Sequence, residues 1–126
     1  MDIYKRINNI FESPVNEGTH ARVGVVGSRG KITSINVWYD GYPEHTLKYL
    51  QKYYNTPEKA QALMSLGNVR ALESNIKKTA KGASGDPAEV SRNYSEFDIV
   101  AGDEGTEYSY LFKRNNWVKA FDALES

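Results

Sequence analysis

A chain of 126 residues without cysteine excludes disulfides, thiolate metal sites and a cysteine nucleophile, and it is long enough to bury one ordinary core unaided. Sixteen Lys and Arg balance sixteen Asp and Glu, so net charge argues against general binding to a nucleic-acid backbone. No run of eighteen apolar residues occurs and the first residues carry no apolar signal block, which predicts a cytoplasmic protein with no membrane contact.

Ile3, Ile7, Ile10 and Phe11 recur at three-to-four-residue spacing between Asp2 and Ser13-Pro14, the pattern of an amphipathic helix over 2–12. Its apolar stripe must dock either on its own domain or on a second copy, and the latter would make a homodimer. Thr19–Val26 and Lys31–Tyr39 are β-rich runs around Gly27-Ser28-Arg29-Gly30, which predicts a hairpin. On its second strand Ile35, Val37 and Tyr39 share one face, while Ser34, Asn36, Trp38 and Asp40 share the other.

Asp40-Gly41 breaks the strand, and Pro43 suits a first helical turn, where a missing N–H costs nothing. A helix is predicted from Pro43 or Glu44 to about Tyr54, burying Leu47, Leu50 and Tyr54. Thr56-Pro57-Glu58 repeats the start signal and Gly67 supplies the stop of a second helix, with Ala60, Leu63, Met64 and Leu66 inward. A short helical turn is expected over 68–74, and the small, charged and breaker residues of 77–93 predict a mobile loop. Phe97–Ala101, Thr106–Phe112 and Trp117–Phe121, parted by turn residues, predict a closing antiparallel meander. The expected architecture is a single α+β domain: an antiparallel sheet of four to five strands, two or three short helices on one face, and the added N-terminal helix.

The run Val37-Trp38-Tyr39-Asp40-Gly41-Tyr42-Pro43-Glu44-His45, with Leu47, Leu50, Tyr53-Tyr54, Leu63, Leu66-Gly67-Asn68 and Leu72, resembles a family of small uncharacterised bacteriophage and prophage proteins. Gly18-Thr19-His20 and the late Tyr108-Ser109-Tyr110-Leu111-Phe112 with Trp117 extend the resemblance over about residues 18–117. Two departures stand out: residues 1–17 look like an addition, and His45 and the surroundings of Leu47 replace glycines that often follow the motif. The resemblance implies a phage origin and no particular activity; phage accessory proteins commonly bind and redirect a host component.

Trp38, Tyr39, Asp40, Tyr42, Glu44 and His45 crowd the predicted strand-to-helix junction. A helix start favours an anion, aromatic faces offer stacking and carboxylates accept hydrogen bonds, so these residues form a candidate binding site together with Arg22 and His20. The same residues also satisfy local turn and helix-start chemistry, which is the purely structural reading. His20, Asp40 and His45 are candidates for a general base or a metal pair, although two histidines twenty-five positions apart give no ligand spacing. Gly27–Lys31 is no phosphate loop, because Val25 and Ile32 stand where a glycine and a hydroxyl are required. Arg70, Lys77, Lys78 and Lys81 are candidate contacts for a nucleotide or an acidic partner, and Glu96, Asp98, Asp103, Glu104 and Glu107 for a basic protein face.

No nucleophile motif and no enforced carboxylate pair is present, so no catalytic residue, metal or cofactor is predicted. The leading expectation is a non-catalytic accessory protein that binds a host protein, inhibiting host metabolism or antiviral defence. The alternative is a domain holding a nucleotide-like anion at the start of the Pro43 helix beside Arg22, Asp40 and Tyr42. A small hydrolase or transferase using His20, Asp40 or His45 ranks third.

Overall fold

Strand β1 (Ala21–Val26) turns through a single 3₁₀ turn at Ser28–Gly30 into β2 (Ile32–Val37), the hairpin expected from the sequence. Arg29 and Gly30 both take positive φ, which lets so short a connection reverse the chain. The computed structural model describes residues 19–124; the amphipathic pattern over 2–12 lies outside them.

After the hairpin come α1 (Thr46–Tyr53), α2 (Pro57–Leu66) and α3 (Ile76–Ala80), then β3 (Glu89–Ser91), α4 (Tyr94–Asp103), β4 (Tyr108–Lys113), β5 (Asn116–Lys119) and α5 (Ala120–Leu124). α1 starts three residues after Pro43, because Tyr42 to His45 form a turn in which the Tyr42 carbonyl accepts from the His45 and Thr46 amides. α2 is bounded as its sequence predicts: the Thr56 hydroxyl accepts from the Lys59 amide, Pro57 opens the first turn and Gly67 closes the helix. Gly67 sits at φ 75° with Asp86 against its α-carbon, a place where any side chain would collide with backbone.

The five strands run in the order β3-β2-β1-β4-β5. The α+β class holds, but the sheet is mixed rather than antiparallel, because β4 pairs with β1 in parallel. The cause is residues 97–101, expected as a strand and found inside α4, whose crossover carries the chain from one edge to the far side of β1. Burial shows the helical period: Phe97 and Ala101, four apart, are interior while Ile99 is 62 % exposed. The Asn93 side chain caps the helix by accepting from the Glu96 amide.

Helices consequently cover both faces of the sheet, not one. On the first face Ala21, Val23, Ile35, Val37, Tyr110, Phe112 and Trp117 pack under Leu50 of α1 and Ala60, Leu63 and Met64 of α2. On the second, Ile32 and Leu111 meet Phe97 of α4 and Ala120 and Ala123 of α5. The run Trp117–Phe121, read as a strand, divides at Lys119: Trp117 is buried in β5, and Phe121 lies exposed on α5.

Residues 68–74 form no helical turn. Val69 extends the sheet beyond β2, its amide donating to the Asn36 carbonyl and its carbonyl accepting from Trp38, while the Arg70 carbonyl accepts from Tyr39. Residues 82–86 pair along the other side, with Arg70 donating to Gly82 and Ser84 to Asn68. The stretch 77–93, expected as a loop, therefore holds most of α3, this pairing and the edge strand β3. Backbone hydrogen bonds rather than apolar side chains order it, and composition does not report them.

Candidate functional site

The residues singled out in the sequence divide between the two sides of the sheet. On the second face, β1 and β2 place Arg22 beside Asn36, and the His20 and Trp38 rings meet edge to face at 5.0 Å. Arg22 is only 2 % exposed. Its Nε donates to the Ser34 hydroxyl at 3.0 Å, and Nη2 lies 3.8 Å from the Glu89 carboxylate. Burial pulls the guanidinium pKa below its ordinary value, and the charges of Glu89 and Glu104 oppose that pull. Asn36 is fully buried and donates from Nδ2 to Glu104 at 3.4 Å and from its amide to the Asn68 side chain at 2.8 Å. Among the described residues His20 Nδ1, Asn36 Oδ1 and Thr106 Oγ1 find no hydrogen-bond partner.

The junction itself lies on the other side, and its polar groups are largely taken up by structure. Asp40 adopts φ 57°, and its carbonyl accepts from the buried Thr46 hydroxyl at 2.6 Å. Gly41 packs so closely on β1 that a Cβ there would stand 2.8 Å from the Ala21 amide nitrogen and the His20 carbonyl carbon. Its carbonyl accepts from the Tyr110 hydroxyl at 2.7 Å. Burial raises the Tyr110 pKa well above the tyrosine range. The Asp40 carboxylate raises that of Tyr42, chiefly by opposing a second negative charge beside it, with burial and a hydrogen bond adding to the shift. Glu44 is exposed, and His45 Nε2 pairs with the Leu72 carbonyl at 3.0 Å.

What the junction leaves facing outward is a ladder of rings that runs from the turn before α1 along the helix. Tyr42 meets His45 with centroids 6.4 Å apart, His45 stacks on Tyr49 at 4.1 Å, and Tyr49 meets Tyr53 edge-on at 5.2 Å. All four are half-buried, so each ring rests against its neighbours and keeps an outward part. Lys52 stands over the Tyr53 ring at 5.4 Å, at one end of the ladder, and Arg70 stands over the separate Tyr39 ring at 5.3 Å. Tyr39, Tyr42 and His45 belong to the motif legible in the sequence, whereas Tyr49, Tyr53 and Lys52 join them only in the structure. Their signal is the four-residue spacing 45, 49, 53, which continues from the turn at His45 along one stripe of α1.

Arg70 also borders a cleft of about 480 Å³ lined by Ala71, Glu73, Lys78, Thr79, Lys81 and Gly82. Its wall is firmly held: the Thr79 hydroxyl accepts from the Glu73 amide at 2.9 Å and lies 2.7 Å from the Tyr54 hydroxyl, which reaches the Glu73 carbonyl at 2.9 Å. Among the described residues no group of three His, Asp or Glu side chains converges as a metal site, and no helix is long and apolar enough to cross a membrane. No family model, curated protein or solved structure matches the chain.

Proposed function

We propose that this chain is a non-catalytic accessory protein of phage type that captures a host protein through the ring ladder Tyr42, His45, Tyr49 and Tyr53 and its flanking pair Tyr39 and Arg70. The observation that carries this reading is the ladder's construction: four half-buried rings in successive contact, with Tyr49 and Tyr53 packed against the core. Rings of this kind supply large contact area at little entropy cost, and Tyr and Arg are over-represented among residues that dominate binding energy. The phage setting rests on the resemblance carried by Tyr39-Asp40-Gly41-Tyr42-Pro43-Glu44. Most polar groups of that motif close the strand-to-helix junction, so recognition falls to the outward rings.

The test is capture from a bacterial host lysate by the tagged chain, read by native mass spectrometry beside a Tyr42→Ala/Tyr49→Ala variant. The expected result is one host protein held in fixed stoichiometry by the parent chain and lost by the variant, with the variant's thermal transition still cooperative. Equal capture by both chains, or by neither, contradicts the reading.

A further inference from the structure

The cleft bordered by Arg70, Lys78 and Lys81 lies apart from the ring ladder in its chemistry and calls for a different ligand. Three cationic residues line it against one acidic residue, Glu73, which leaves a net charge of about +2. Among the described residues none of these cations makes an ion pair; the Arg70 guanidinium has only the Tyr39 ring beneath it. The backbone that presents them is fixed. Arg70 lies in the extended segment hydrogen-bonded to Tyr39 on one side and Gly82 on the other. A Cβ on Gly82 would come within 2.9 Å of the Arg70 Cβ, so the two sides of the floor are already in contact. Asn75 caps α3 by accepting from the Lys78 amide, and the buried Thr79 anchors that helix to Tyr54.

We infer that this cleft binds a small phosphomonoester that also carries hydroxyl groups, of the sugar-phosphate class. A phosphomonoester brings a charge of about −1.5 to −2 at neutral pH, the complement of the cleft's own. Arg70 offers the planar fork that pairs with two phosphate oxygens, and Lys78 and Lys81 act as point charges beside it. The volume falls in the range of about 300–1,000 Å³ typical of small-molecule sites, which leaves room beyond the phosphate. Glu73, which repels a bare anion, then has a use: its carboxylate accepts hydrogen bonds from the ligand's hydroxyls. Arg70 belongs both to the cleft and to the proposed capture surface, so a ligand bound here competes with a captured partner for that one side chain.

Calorimetric titration of the full chain with ribose 5-phosphate, inorganic phosphate and ribose tests the assignment. Ribose 5-phosphate binds, and Arg70→Gln and Lys78→Gln each weaken it about tenfold or more while the thermal transition stays in place. Glu73→Gln is expected to separate the probes, strengthening inorganic phosphate and weakening ribose 5-phosphate. The inference is overturned if ribose 5-phosphate gives no binding heat at about millimolar concentration, or if neither cation variant changes its affinity. It is also overturned if Glu73→Gln strengthens both probes alike, which makes the cleft a site for a bare anion. A 5′-phosphorylated oligonucleotide bound in place of ribose 5-phosphate, with the same dependence on Arg70, likewise rejects the small-ligand assignment.

Discussion

The two faces of the sheet treat polar groups in opposite ways. On the first face they sit at the ends of large rings and each meets a partner: the Tyr110 hydroxyl donates to Gly41, the Trp117 indole to the Tyr54 carbonyl, and the Tyr54 hydroxyl to the Glu73 carbonyl. On the second face they sit on short or charged side chains, Arg22, Ser34 and Asn36, buried beside α4 and the Glu104 that follows it, with Asn36 Oδ1 unpaired among the described residues. Satisfied hydrogen bonds at the rim of an apolar core add stability and fix position, whereas buried charge largely balances its own desolvation. The first face is therefore the rigid one, and the ring ladder is mounted on its outer side. A recognition surface gains from that, because little order remains to be lost on binding.

The largest effect belongs to the anchor of the first face. Trp117→Ala removes a fully buried ring that packs on Phe112 and donates to Tyr54, and the expected cost is about 3–5 kcal/mol in urea unfolding. Tyr110→Phe is the sharper change, since it removes only an oxygen. The buried Gly41 carbonyl loses its donor, for an expected loss of about 1–3 kcal/mol with β1 pairing intact by hydrogen exchange.

A third expectation uses pH. Burial raises the pKa of both Tyr110 and Tyr54 above the ordinary 10.0, so the folded chain keeps protons that the unfolded chain releases. Their stabilisation is complete below about pH 10 and falls as pH rises from there towards the folded values. Thermal unfolding followed from about pH 8 to about pH 11 should show that decline, shallower in Tyr110→Phe. The smallest effect lies on the second face. Arg22→Met leaves no buried charge behind, since Glu89 is 56 % exposed, and its stability should stay within about 1 kcal/mol of the parent. A loss near that of Trp117→Ala would show that the second face is held by its ion pair.

Elements specified by neighbouring residues were legible in the sequence. The hairpin follows from two β-rich runs around Gly27–Gly30, and α2 from Thr56, Pro57 and Gly67, each acting within one turn of the backbone. α4 was misread because Phe97-Asp98-Ile99-Val100-Ala101 fits strand alternation as well as helix; the deciding signal was Asn93 three residues before Glu96. The pairing of 68–70 with 36–39 and 82–86 had no local signature, since its hydrogen bonds join backbones far apart in the chain. The candidate site was read in part. The junction motif ends at His45, one residue before α1, so Tyr49 and Tyr53 lie beyond it, and nothing in the run Thr19–Val26 tells that Arg22 is interior. Its partners Ser34 and Glu89 arrive from two other strands.

The most direct test of the account is hydrogen exchange on the captured complex, compared with the free chain. New protection should concentrate in residues 42–53 and at 69–70, while 94–106 exchange as before. New protection confined to α4 and the His20, Arg22 and Trp38 side of the sheet would contradict it and move recognition to the second face.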